Sequence, residues 1–408
     1  MPFCVRKCNY CGFLSFDAEG SPRREYMQAL CEEIRLRSSG AAGEEFSADA
    51  GPIDTVYIGG GTPSVMDISQ LSEMVKLLRR CYDIKPDAEF TLEVNPGTLG
   101  RKDGVALAKM QAYKFMGVNR ISMGVQSMDN DRLHYLGRIH TAENVIRDMA
   151  LLRRKGFDNI NLDLMFSVPG ETAEDALSDL GRILELKPQH ISCYSLQIEE
   201  GTPFGRMAEA GELHEVPDEE DRDTYHRICA ALWDAGYEHY EISNFARPGY
   251  RSQHNSLYWN MDDYIGLGLG ASGFAGGRRY KNVSDLSDYI STFMAAGVPE
   301  GARFALPYEE DHVNDGFDNI SEAVFTGLRR REGITYEDAV ASFRRGRDNV
   351  STAADAVSDK EEFWRIFAEA KEEAEDYAKQ GLLIIDDDGL RLTEQGIDIS
   401  NTIMSLFV

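Results

Sequence analysis

The sequence predicts an α/β protein, a parallel sheet wrapped by helices, followed by a helical, winged-helix-like C-terminal domain. Three observations predict it. Short β-branched or apolar runs alternate with helix-period segments through the first 235 residues, the pattern of strands joined by helical crossovers. That rhythm breaks off near Gly236, and the last hundred residues read as helices followed by a hairpin around Asp386-Asp387-Asp388-Gly389, where Asp-Gly between apolar runs marks the turn. At 408 residues the chain exceeds the roughly 250 beyond which single cores stop growing. We therefore divide it into residues 1–235, a linking region over 236–305, and a C-terminal domain over 306–408.

The first element is chemical. Phe3-Cys4-Val5-Arg6-Lys7-Cys8-Asn9-Tyr10-Cys11 carries three cysteines spaced three and then two residues apart. Thiolate sulfur suits iron–sulfur clusters and zinc, and a local trio leaves a fourth metal position open. A disulfide framework wants an even cysteine count in a short secreted chain, whereas this one has seven and no signal segment ahead of them. Spacing alone leaves cluster and zinc both open.

Ser21-Pro22 reads as the N-cap and first turn of a helix with Tyr26, Leu30 and Ile34 down one face. Residues 38–52 are small and acidic and read as a mobile surface loop. The strand runs follow: Thr55-Val56-Tyr57-Ile58, Phe90 to Val94, Arg120 to Gly124, Ile160 to Met165 and Ile191 to Leu196. Each ends in residues that one carboxyl rim would collect, the edge where parallel sheets bind ligands. They are Gly59-Gly60-Gly61-Thr62-Pro63, then Glu93 and Asn95, Gln126 and Ser127, Asp163, and Gln197. Cys31 and Cys81 continue apolar helix faces and read as core filler.

Beyond the helix bearing Tyr225, Ile228 and Leu232, the run Tyr240 to Phe245 reads as extended. The glycine-dense Gly266-Leu267-Gly268-Leu269-Gly270 implies either close backbone approach or a tight turn. Helical stretches near 321–330 and 361–379 precede the hairpin, and Thr393 caps a last helix carrying Ile397, Ile403, Leu406 and Phe407. Winged-helix domains often bind DNA, and Arg329-Arg330-Arg331 with Arg344-Arg345 gives that reading a foothold. Against it, 69 acidic and 43 basic residues leave a formal charge of −26, a field that repels phosphate backbones and anionic lipid. The arginines then read as partners within the chain. No run reaches the apolar length of a membrane span, and the protein reads as cytoplasmic.

Taken together, the cysteine trio, Val56-Tyr57-Ile58-Gly59-Gly60-Gly61-Thr62-Pro63-Ser64, Glu93-Val94-Asn95-Pro96, Gly124-Val125-Gln126-Ser127 and Asp163-Leu164-Met165 resemble the oxygen-independent coproporphyrinogen oxidase group of the radical S-adenosylmethionine superfamily. The resemblance runs the length of the chain. It implies that residues 1–235 form an incomplete (β/α)6-type TIM-like barrel, and that Cys4, Cys8 and Cys11 hold a [4Fe–4S] cluster whose fourth iron is chelated by S-adenosylmethionine. Tyr10 would line the cofactor site. Gly60, Gly61 and Thr62 would meet the methionine end, and Glu93 would accept hydrogen bonds from it. Gln126 would bind the ribose side, Arg138 the carboxylate, Asp163 the ribose or adenine edge, with Gln197 on the same rim.

Two departures divide the group: Phe13 stands where the oxidases carry a further cysteine, and the long segment that closes over their tetrapyrrole is not seen. His254-Asn255-Ser256-Leu257-Tyr258-Trp259 resembles the His-Asn-x-x-Tyr-Trp signature of the HemW branch, heme chaperones that deliver heme to membrane hemoproteins and lack oxidase activity. The resemblance implies heme, acceptor hemoproteins and an electron donor as partners, with dimerisation left open and the oxidase activity as the rival. His254 would ligate heme, flanked by Tyr258 and Trp259, although a histidine among aromatics is equally what a hydrogen-bonded core contains. Only Met1-Pro2-Phe3 precedes Cys4, where the family has a strand, so a shortened first stave and a less firmly held cluster are expected.

Overall fold

Period-two alternation decides which way the sheet faces. Val56, Ile58, Phe90, Leu92, Ile121, Met123, Ile160 and Leu162 are buried on one side, while Thr55, Tyr57, Thr91, Glu93, Ser122, Asn161 and Asp163 take the positions between them. Helices cover the apolar side. The polar side faces inward. The computed structural model describes residues 1–47, 51–295, 306–345 and 358–408.

The chain opens with β1 (Phe3–Cys4), paired in parallel with β2 (Phe16–Asp17), and then α1 (Arg23–Ser38). Pro22 itself, rather than Ser21, takes the N-cap position, and the Ser21 hydroxyl turns back to the Asp17 carbonyl at 2.6 Å. The stretch expected as a mobile loop is anchored, since Phe46 is fully buried and meets the Tyr280 ring edge-on at 5.1 Å. Residues 48–50 of that stretch lie outside the described residues.

Strands and helices then alternate as expected: β3 (Ile53–Ile58), α2 (Ile68–Cys81), β4 (Ile84–Val94), α3 (Asp103–Met116), β5 (Arg120–Gln126), α4 (Asn130–Tyr135), α5 (Ala142–Arg154), β6 (Asn159–Phe166), α6 (Ala173–Glu185), β7 (His190–Ser195), α7 (Pro203–Glu209) and α8 (Asp218–Asp234). Their starts are chemically marked. Asp67 accepts from the Ser69 amide at 2.7 Å, and Thr172 with Asp175 forms a reciprocal capping box. The extended segment after α8 is a tight hairpin of β8 (Glu238–Glu241) and β9 (Asn244–Ala246), because Glu241 folds back to accept from the Ser243 amide at 3.1 Å. The sheet order is β3-β4-β5-β6-β7-β9-β8, five parallel strands and then the antiparallel pair. Among the described residues its edge strands β3 and β8 do not pair with each other, so the barrel is incomplete.

In the linking region, α9 (Gln253–Trp259) precedes a three-stranded antiparallel sheet of β10 (Ser272–Ala275), β11 (Arg278–Asn282) and, beyond α10 (Leu286–Met294), β12 (Tyr308–Val313). The expected boundary at residue 306 therefore shifts, since β12 completes the linking sheet; residues 296–305 lie outside the described residues. The glycine-dense turn packs on α1, with the Gly268 amide donating to Glu33 at 2.7 Å.

The C-terminal part runs α11 (Gly316–Gly327), β13 (Ile334–Thr335), α12 (Tyr336–Arg345), α13 (Asp359–Ile366), α14 (Lys371–Lys379), the wing β14 (Leu383–Ile385) and β15 (Gly389–Leu392), then α15 (Glu394–Ile397) and α16 (Ser400–Met404). This is a winged-helix order. The sequence reading missed α12, although Thr335 accepting from the Asp338 amide at 3.0 Å is a capping signal. The single helix expected over 361–379 splits, because Phe367 leaves helical geometry at ψ 42 to pack edge-on against Phe407 at 5.2 Å. The last helix breaks into short turns, with Thr393 as its cap. Arg329 reaches Glu241 at 3.5 Å, Arg330 reaches Asn260 at 2.6 Å and Arg344 reaches Asp359 at 3.0 Å. The basic foothold for nucleic acid is thus engaged inside the chain. Among the described residues no helix is long and apolar enough to cross a membrane.

Candidate functional site

The cysteine loop is fastened to the rim before any ligand enters. Asn9 donates its amide to the Leu136 carbonyl at 3.0 Å and its side-chain nitrogen to the Tyr135 carbonyl at 2.8 Å, so the end of α4 holds it. Gly137, at φ +78, lies where a side-chain carbon would come within 3.0 Å of Asn9. On the other flank the Phe204 amide, at the start of α7, donates to the Asn9 carbonyl at 2.9 Å.

Two side chains from elsewhere in the barrel aim hydrogen bonds at the sulfurs. The Thr62 hydroxyl donates to Cys4 Sγ at 3.4 Å, and Arg138 Nη1 donates to Cys8 Sγ at 3.4 Å. Hydrogen bonds to ligating sulfur orient it and tune whatever metal it holds. Among the described residues no three ligating side chains converge on a single-ion position. Three thiolates that leave a further metal position to another ligand are a donor set that fits an iron–sulfur cluster.

Arg138 also organises the rim. Its Nη2 donates to Asn95 Oδ1 and to the Gly124 carbonyl, each at 2.6 Å, and Asn95 in turn donates to the Thr62 hydroxyl at 2.7 Å. Gln126 closes on the same spot. Its backbone sits at φ +70, strained for a residue with a side chain, and its amide nitrogen is 3.2 Å from where a Gly124 side-chain carbon would stand. Asn95, which reads in the sequence only as a strand-end residue, joins Thr62 and Arg138 into one unit.

The glycine run serves the chain's own backbone first. The Gly61 and Thr62 amides donate to the Met1 and Phe3 carbonyls at 2.9 and 2.8 Å, and the Gly60 amide donates to Glu93 Oε2 at 3.0 Å. A side chain at Gly61 would meet Phe3 backbone at 2.8 Å. The three amides of this run are therefore paired within the chain.

Two carboxylates stand on the polar side without a full counter-charge. Burial raises Glu93 to about 7 against the pull of its Tyr57 hydrogen bond, which measures 2.7 Å. Burial likewise raises Asp163 to about 6, although Asn161 donates to it at 2.7 Å. Tyr10 lies against Cys8 and Arg138 and packs on Leu136 and Phe204. Gln197 is exposed beyond β7.

His254 is tied down at every polar atom. Nδ1 is 2.7 Å from Thr55 Oγ1, Nε2 is 2.8 Å from the Tyr258 hydroxyl, and the backbone amide donates to Glu89 at 3.0 Å. Its ring stacks on Tyr57 at 4.9 Å, and burial lowers it to about 4. Neither ring nitrogen is free for iron, so the expected axial ligation would have to displace Thr55 or Tyr258. The Trp259 ring lies under the Arg329 guanidinium at 4.7 Å. Tyr57, which joins His254 to Glu93, reads in the sequence as a strand and motif residue with no role of its own. Its signal was the Thr55-x-Tyr57 alternation against Val56 and Ile58.

The profile of the Radical SAM superfamily matches residues 1–182. A heme chaperone HemW from Lactococcus lactis subsp. lactis is 33% identical over 408 residues, covering 100% of this chain and 96% of that protein. Another from Escherichia coli K12 is 38% identical over 275 residues, covering 67% of this chain and 68% of that one. Among solved structures, coproporphyrinogen III oxidase (HemN) from Escherichia coli matches with a TM-score of 0.79 at 22% identity, covering 100% of this chain and 88% of that one, a likeness of fold.

Proposed function

This chain belongs to the HemW family of the Radical SAM superfamily, and we propose that it is a heme chaperone that binds heme and delivers it to hemoproteins. Cys4, Cys8 and Cys11 would hold a [4Fe–4S] cluster beside S-adenosylmethionine. When bound, that pair supplies one-electron chemistry at a sulfonium. The chain's own residues bind and orient: Thr62 and Arg138 steady the sulfurs, Asn95 and the Gly124 carbonyl fix the Arg138 fork, and Glu93 and Asp163 offer buried acceptors to the amine and hydroxyl groups of a nucleotide. Tyr10 shields the loop from water.

One observation carries the reading: a chain similar from end to end to HemW relatives combines the hydrogen-bonded cysteine trio with Phe13, 72% exposed, at the position where porphyrinogen oxidases carry a further cysteine. Heme would be the cargo, hemoproteins, membrane-bound ones among them, its acceptors, and an electron donor would feed the cluster. The charge of −26 works against nucleic acid as a partner.

The test is anaerobic reconstitution followed by iron, sulfide and heme titrations, with transfer of heme to an apo-hemoprotein as the readout. Equal iron and sulfide, a heme Soret band and transfer are expected. Zinc uptake without sulfide would sink the cluster, and rapid oxidation of coproporphyrinogen would replace the chaperone with an oxidase.

A further inference from the structure

We infer that His254 is a positioning residue for Glu93, acting through the Tyr57 ring, so that the His-Asn-x-x-Tyr-Trp motif serves the nucleotide end of the barrel rather than ligating heme iron. The inference rests on the cofactor site proposed at the rim.

Glu93 has two neutral donors, the Tyr57 hydroxyl at 2.7 Å and the Gly60 amide at 3.0 Å. A carboxylate oxygen has more than one acceptor direction, so the one Tyr57 fills determines where the other points. The Tyr57 hydroxyl lies in its ring plane, and the ring is set by the face-to-face contact with His254 at 4.9 Å and 21°. That platform is itself rigid. The Thr55 and Tyr258 hydroxyls hold its two nitrogens, and its backbone amide is one of several α9 donors to buried Glu89, the Gln253 amide at 3.1 Å being another. Tyr258 meets Tyr264 edge-on at 4.6 Å, which roots the assembly in the linking region. One hydroxyl on each nitrogen matches a neutral imidazole, which donates from one nitrogen and accepts at the other. An axial ligand needs an unengaged nitrogen, and this ring has none.

The experiment compares full-length, anaerobically reconstituted wild type with His254→Ala, His254→Phe, Tyr57→Phe and the Tyr57→Phe/His254→Ala double variant. Equilibrium dialysis of labelled S-adenosylmethionine, the change it causes in the electron paramagnetic resonance of the reduced cluster, and heme titrations are read on each. Tyr57→Phe and His254→Ala should each weaken nucleotide binding about threefold to tenfold, the cost of misdirecting one hydrogen bond. His254→Phe keeps a ring against Tyr57 and should recover most of the loss. The double variant should bind no worse than the weaker single one, the sign of one shared pathway. Heme titrations should coincide throughout.

Wild-type binding matched by His254→Ala, or a Soret band lost in His254→Ala with nucleotide binding intact, overturns the inference alone. Failure of wild type to bind the nucleotide overturns the rim site and the inference with it.

Discussion

Glu33 and Glu93 are both withdrawn from water, and they are treated in opposite ways. Glu33, on α1, receives Arg37 Nε at 2.9 Å, Asn282 Nδ2 at 2.8 Å, the Gly268 amide at 2.7 Å and the Tyr289 hydroxyl at 2.5 Å. Its partner Arg37 is fully buried among the Phe46, Tyr280 and Tyr308 rings, with centroids 4.8, 4.6 and 5.6 Å away. Every acceptor direction is filled, and the junction between barrel and linking sheet is closed. Glu93 has two neutral donors and no guanidinium. With Asp163 and the Met1 ammonium as its charged neighbours, it carries a burial cost that Glu33 escapes.

Three measurements press on that contrast, beginning with the largest. Arg37→Met should cost about 3–5 kcal/mol in urea unfolding, because it strands Glu33 without its cation. A loss below about 1 kcal/mol would mean that Asn282 and Tyr289 suffice and that the two sites differ less than their geometry implies.

Next, Glu93→Gln should change the pH dependence of stability. The native carboxyl is raised from 4.5 to about 7 by burial, so its contribution is fully present below about pH 4.5 and is lost as pH rises through about 7. The glutamine variant should lack that part of the decline, while binding nucleotide several-fold more weakly. Parallel stability curves for the two proteins would show that Glu93 is already satisfied.

The smallest effect belongs to the wing, where Arg391 and Asp386 pair at 2.7 Å with both side chains well exposed. Arg391→Ala should cost only about 0.2–1 kcal/mol, an effect that fades in high salt. A larger loss would mean that burial is not what separates these carboxylates.

Much of the fold was legible before any coordinates. Strand runs such as Ile160 to Met165 and the Asp388-Gly389 turn are encoded within a few residues, and so were found in place. Errors came where a contact from afar outweighed local pattern. Phe367 breaks a charged, helix-like run because Phe407 offers it burial, and the place of β12 in the linking sheet is revealed only by its pairing with β11. At the rim, Thr62, Glu93, Gln126, Arg138 and Asp163 were all singled out in advance, but Asn95's role and the engagement of the glycine amides were not.

What the sequence determined alone was therefore everything with a short period: cysteine spacing, alternation, turn chemistry, and the order in which polar residues reach the carboxyl edge. Only the tertiary structure decided which distant groups meet, as with Thr55 and His254, 199 residues apart, or Glu33 and Asn282, 249 apart. The reason is physical. Backbone propensity acts over one turn or one pleat, whereas the pairing of a buried polar atom is fixed by whatever donor the folded chain brings within about 3 Å of it.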